Sequence, residues 1–271
     1  MRMPNPVLDP KRFSATAEET EPGWGAPTHV PPAPDTVSPW PPAPPAANFE
    51  TMTIGGVASA TGVLLTLLIA SAAVGWVATD PATGTIPGIA VVSLFVGLGL
   101  AFATIFRPKW ARVTAPLYAL AEGFVVGAIS HFYAADTSGI VLQAVGLTLA
   151  VFSIMLVLFA TGRIVVTEKL RLGIIAATGA VFMVYMFSLI VRLFGGDIGF
   201  IHDGGSFGIL FSLVVVGIAS MNLLLDFDFV QRAVAAKMPK QMEWYAAFGL
   251  LVTLVWLYLE ILRLLAKMQR R

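Results

Sequence analysis

Four acidic residues interrupt otherwise apolar stretches of the chain: Glu122, Asp226, Asp228 and Glu260. A carboxylate at the centre of a membrane-crossing helix costs roughly 2.5–3.5 kcal/mol on insertion scales, so such groups face a bundle interior or a water path. Asp226 and Asp228 stand about 200° apart on a helix and cannot share a face. Asp228 has Arg232 at i+4, the spacing of a helical ion pair, which assigns it to structure. Asp226 has Asn222 at i−4 and no cation at i±3 or i±4, the pattern of an interior carboxylate; a solvated aspartate at a helix end is the alternative. Glu260 has Arg263 at i+3, which could neutralise it on the helix surface. The sharper reading sets Glu260 against Asp226. Two carboxylates within ~4–6 Å share a proton and repel when both ionise, which makes a pH-sensitive latch. Oxygen ligands of this kind also suit Ca²⁺, so Asp226 and Glu260 are the candidate gating residues and the candidate metal ligands. Glu122 is a supporting candidate, mid-span with Tyr118 at i−4 to hydrogen-bond it; Arg192 is either its partner or a snorkelling side chain.

The elements that must position these groups are transmembrane helices. The chain has 271 residues, 57% hydrophobic and 12% charged, with mean hydropathy +0.81. A soluble domain carries about 25% charged residues. Apolar segments at about 52–78, 85–106, 113–134, 138–161, 172–194, 206–226 and 244–266 each approach the ~20 residues that cross ~30 Å of hydrocarbon. The alternating ten-residue strands of a β-barrel are missing. The expected fold is all-α, a polytopic bundle of seven transmembrane helices over residues 51–271. Residues 1–50 hold 13 of the 18 prolines. Proline fixes φ and removes an amide donor, so this segment reads as a disordered cytoplasmic tail, with docking through PxxP-like turns as the alternative.

Loop charge orients the bundle. Arg107, Lys109 and Arg112, then Arg163, Lys169 and Arg171, then Arg232, Lys237 and Lys240 fall after the second, fourth and sixth spans. The positive-inside rule places those loops and the N-terminus in the cytoplasm of a multi-pass inner-membrane protein. The C-terminus conflicts: seven crossings put it outside, although it carries Arg263, Lys267, Arg270 and Arg271. Gly123 and Gly127 form a GxxxG pair, which permits close helix approach.

Catalytic patterns are missing. Cysteine is absent, and His131, His202 and Asp203 lack metal-ligand spacing and read as groups near the ends of spans. No GxSxG elbow, phosphate-binding loop or dinucleotide fingerprint occurs. No basic run is interleaved with aromatics, which argues against nucleic acid. An enzyme is not expected, and no cofactor is implied.

Three stretches carry a family resemblance: Ala121-Glu122-Gly123-Phe124-Val125-Val126-Gly127-Ala128-Ile129-Ser130, Leu225-Asp226-Phe227-Asp228, and Leu257-Tyr258-Leu259-Glu260-Ile261-Leu262. In order and position on the spans they resemble the Bax inhibitor-1/YccA family over about residues 50–268. The resemblance implies a seven-helix bundle with a central last helix and a pH-sensitive Ca²⁺ leak gated by two carboxylates, which by position are Asp226 and Glu260. Arg107 is similar to an arginine of the family's turn after span 2. Some members instead modulate a membrane-bound protease, which implies a non-conducting regulator with a membrane-protein partner. Phe227 and Tyr258, flanking the two acids, are candidates for an apolar constriction. The pair also demands equal depth. Glu260 falls about 17 residues, ~25 Å, into a span that starts at Glu243, so residues 240–250 would have to run along the interface.

Overall fold

The computed structural model describes residues 50–83, 87–195 and 205–269. Expectations for the proline-rich segment up to residue 49, and for His202, Asp203, Arg270 and Arg271, lie outside the described residues. Seven helices among those residues are long and apolar enough to cross a membrane. They are α1 (Ile54–Val77), α2 (Gly88–Phe106), α3 (Ala111–Asp136), α4 (Ile140–Ala160), α5 (Glu168–Leu193), α6 (Ser206–Ala235) and α7 (Met242–Gln269). Large apolar side chains cover the outside: Phe95 is 67% and Leu142 77% exposed. In a lipid solvent that is the favoured arrangement, because the backbone groups are satisfied within each helix.

The helices α3 and α7 are the most buried and form the centre of the bundle. One core joins α7 to α4 and α6 through Leu223, Leu254, Leu257 and Leu262. A second joins α7 to α1 and α3 through Leu64, Tyr118, Ala119 and Leu251. The helices α1 and α3 meet backbone to backbone. A Cβ on Gly123 or Gly127 would collide with the carbonyl of Leu68 or Ala72, and one on Gly75 with the carbonyl of Phe124. The GxxxG pair therefore sits at a real close approach, reinforced by the Ser71 hydroxyl, which donates to the Leu120 carbonyl.

Two sequence expectations change. The helix α6 does not stop at residue 226 but runs to Ala235, because Val230 and Ala233 still bury and Asp228 pairs with Arg232 one turn on. Asp226 is thus nine residues, about 14 Å along the axis, inside its helix. Nor is the start of α7 a separate stretch ahead of the helix. It is helical from Met242, and Ala246, Ala247, Phe248, Leu250 and Leu251 are buried in the bundle.

Packing accounts for two of the C-terminal cations. At the far end of α7, Lys267 donates from Nζ to the Gly208 carbonyl (3.1 Å) and the Ser212 hydroxyl (2.9 Å) near the start of α6. Arg263 is paired internally with Glu260. Two of the four C-terminal cations bind inside the bundle, so they carry little topological information.

At the opposite end the chain before α1 is clasped to the α6–α7 turn. Thr51 bridges Pro239, the Met52 amide donates to the Met238 carbonyl (2.7 Å), and Lys240 pairs with Glu50 (2.7 Å). Thr53 caps α1 by accepting from the Gly56 amide. Glu243 then accepts from both the Thr53 amide and its hydroxyl, each at 3.0 Å. A Cβ on Gly56 would collide with that carboxylate, so glycine there leaves the room in which Glu243 reaches Thr53.

Candidate functional site

A cleft of about 660 Å³ opens between α2, α3, α6 and α7. The helix α2 contributes Leu94, Leu98, Ala101 and Ile105; α3 contributes Tyr118 and Glu122; α6 contributes Asp226 and Phe229. From α7 come Tyr245, Ala246, Phe248, Gly249, Val252 and Thr253. Leu94, Leu98, Ile105, Phe229 and Val252 are at least one-third exposed, so the cleft opens sideways from the bundle between α2 and α6.

Asp226 lies in the wall of this cleft. Thr253 lines the cleft with it, and its Oδ2 is buried with no hydrogen-bond partner among the described residues. A buried polar atom without a partner costs on the order of 1–3 kcal/mol, more for a charged group, so Oδ2 is a polar atom whose burial no neighbouring side chain compensates. Gly249 faces it: a Cβ there would stand 3.6 Å from Oδ1. The nearby Asn222 amide is committed elsewhere, donating to Thr178 on α5 at 2.8 Å.

Glu260 does not stand beside Asp226. It is 2% exposed, and accepts from the Tyr185 hydroxyl (2.9 and 3.0 Å to its two oxygens) and from Arg263 (2.8 Å). Arg263 also donates to the Tyr185 hydroxyl and stacks over its ring at 5.1 Å. Thr253, which lines the cleft with Asp226, precedes Glu260 by seven residues, so the two carboxyls are separated by about 10 Å along α7. The helical ion pair with Arg263 is the reading the geometry favours. Tyr185 is a partner that sequence spacing could not supply, since it comes from a helix 75 residues away.

The carboxylate that the fold brings to Asp226's cleft is Glu122, whose Oε2 lies 3.5 Å from the position of a Cβ on Gly97. Tyr118 lines the same cleft, its ring packed edge-on against Phe248 at 5.1 Å. Arg192 is exposed at the end of α5, as a snorkelling side chain would be. Asp228 binds Arg171 (2.6 Å) and Arg232 (3.0 Å), and Glu168 closes the network at 3.1 and 3.5 Å. Its structural assignment therefore extends to a tie between α5 and α6. Arg107 is exposed in the α2–α3 turn, its guanidinium 5.0 Å over Trp110.

Phe227 and Tyr258 do not line the cleft. Phe227 packs between Phe152 and Phe159 of α4, and the Tyr258 hydroxyl meets the Ser130 hydroxyl at 2.7 Å. His131 stacks on Trp76 and hydrogen-bonds its carbonyl through Nδ1 (2.9 Å), a satisfied group near a helix end. Among the described residues no cluster of three or more His, Cys, Asp or Glu is placed to hold a metal.

The chain is matched over residues 5–270 by a family model described as Bax inhibitor 1 like. It belongs to that family. Membership in the Bax inhibitor-1 group agrees with the central α7 and with the order of the three stretches on α3, α6 and α7. No curated protein and no solved structure matches the chain.

Proposed function

We propose that this membrane protein passes a cation, Ca²⁺ or protons, at a rate set by the protonation state of Asp226. The observation that supports it is a carboxyl well inside a transmembrane bundle, one oxygen buried without a partner, on a cleft shared with Glu122. An ionised carboxyl is acceptor-only and a protonated one gains a donor, so proton and cation compete for the same oxygen. The other titratable side chains lining that cleft are Glu122 and Tyr118 of α3 and Tyr245 of α7. Beyond Thr253 the path meets a dry layer in which Leu223, Leu254 and Leu257 are at most 7% exposed, before polar groups resume at Tyr185, Glu260 and Arg263. Such a layer would block ions by excluding water. The end carrying Lys109, Arg112, Lys169 and Lys237 faces the cytoplasm of an inner membrane, following the positive-inside rule.

The test is Ca²⁺ flux into proteoliposomes between pH 6 and 8. Flux from the wild type should vary with pH, Asp226→Asn should abolish the variation, and Glu122→Gln should alter it. Glu260→Gln should keep it in protein that remains folded. No flux above empty liposomes at any pH sinks the reading and leaves a non-conducting regulator of a membrane partner.

A further inference from the structure

The cleft that holds Asp226 is also suited to an organic cation. Only Glu122, Asp226 and Thr253 of its fourteen lining residues bring a carboxyl or an aliphatic hydroxyl, and its mouth is framed by exposed apolar side chains of α2 and α6. Its volume, about 660 Å³, is that of a small-molecule site rather than of a packing defect. Two aromatic edge pairs stand along it: Tyr118 with Phe248 at 5.1 Å, and Phe229 with Tyr245 at 6.0 Å. Aromatic faces attract ammonium groups, and do so most strongly where water is excluded. Glu122 adds a second acid to the one that Asp226 brings to the cleft wall.

We propose that this cleft is a binding site for a lipophilic amine, which enters from the bilayer between α2 and α6, hydrogen-bonds through its nitrogen to Asp226 and lays its hydrocarbon along α2. Each part of such a molecule has its counterpart. The N–H meets the Asp226 carboxyl where it lines the cleft, the charge is matched by the two acids and the rings, and the chain replaces lipid against Leu94 and Leu98. A fatty acid or an anionic lipid would bring like charge to Glu122 and Asp226. An alcohol of equal length would fill the walls without the charge match. Binding of this kind does not depend on conduction, and a chain that passes no ion would still show it.

The experiment uses the full chain in nanodiscs and two photoreactive probes of one chain length, a diazirine-bearing dodecylamine and the corresponding dodecanol, with labelled peptides mapped by mass spectrometry. The amine should label the segment from Leu94 to Ile105 and the segment around Phe229, be displaced by excess dodecylamine, and exceed the alcohol there. Asp226→Asn should lower that labelling by at least about tenfold, the worth of a charge-assisted hydrogen bond. Leu98→Trp, which fills the cleft from its lipid-facing wall and leaves both acids in place, should lower it similarly, with size exclusion showing that each variant is folded. Equal labelling by amine and alcohol overturns the proposal, since simple partition then explains it. Amine labelling that survives either variant in folded protein overturns it as well.

Discussion

Asp226 and Glu260 differ in their partners more than in their chemistry. Both are carboxyls in apolar helices, but Glu260 is enclosed by Tyr185 and Arg263, whereas Asp226 keeps one oxygen unmatched. Removing one member of a buried ion pair leaves an uncompensated charge and costs about 3–5 kcal/mol, while replacing both with apolar groups is nearly neutral. Arg263→Met should therefore lower the thermal unfolding midpoint in detergent markedly, and adding Glu260→Gln should restore most of the loss. If the double variant is no better than the single, the pair is not the stabilising unit. At the dry layer, Leu254→Ser should wet the gap between Thr253 and Glu260 and raise basal ion flux. Unchanged flux would move the barrier elsewhere.

At the scale of elements, the contact of α1 with α3 depends on glycine. No side chain is compatible with Gly127, where a Cβ would run into the Ala72 carbonyl. Gly127→Val should displace α1 and cost several kcal/mol, in the range of overpacked cores, ~1–3 kcal/mol or above. Gly99→Ala, where nothing lies within 4 Å, should be silent in the same unfolding assay. Gly56→Ala should evict Glu243 from the Thr53 cap and loosen the link between α1 and the α6–α7 turn. In that same clasp the Lys240 ammonium holds the Glu50 carboxyl below its ordinary value. A depressed carboxylate contributes above its unfolded pKa and loses the contribution as pH falls through the folded one, so acid releases this contact first. Both groups are exposed, and the release should be visible as faster amide exchange at Met52 with little change in overall stability.

For the whole molecule, the seven crossings place one basic end opposite the end that holds Lys267. The absence of native cysteine allows a clean check: Lys109→Cys and Lys237→Cys should be modified from the cytoplasmic side alone, and Asp80→Cys and Thr137→Cys from the other. Labelling of all four from one side would exclude a simple seven-span weave. The all-α bundle, the span count and the tight packing at Gly123 and Gly127 were legible in the chain, because each follows from runs of local composition and from 3.6-residue periodicity. So was the ion pair of Asp228 with Arg232, a contact four residues apart. The end of α6 was misplaced, since the polar stretch after Leu225 looks like a helix end until Asp228, Arg171 and Arg232 neutralise one another across two helices. The partner of Asp226 was beyond reach for the same reason. Spacing along one helix shows which residues share its face, but which residue of another helix meets that face depends on the depth at which the helices pack. Sequence alone determined that carboxyls would be buried in a membrane bundle. Tertiary packing decided that Glu260 would be neutralised by Tyr185 and Arg263, and that Asp226 would share its cleft with Glu122.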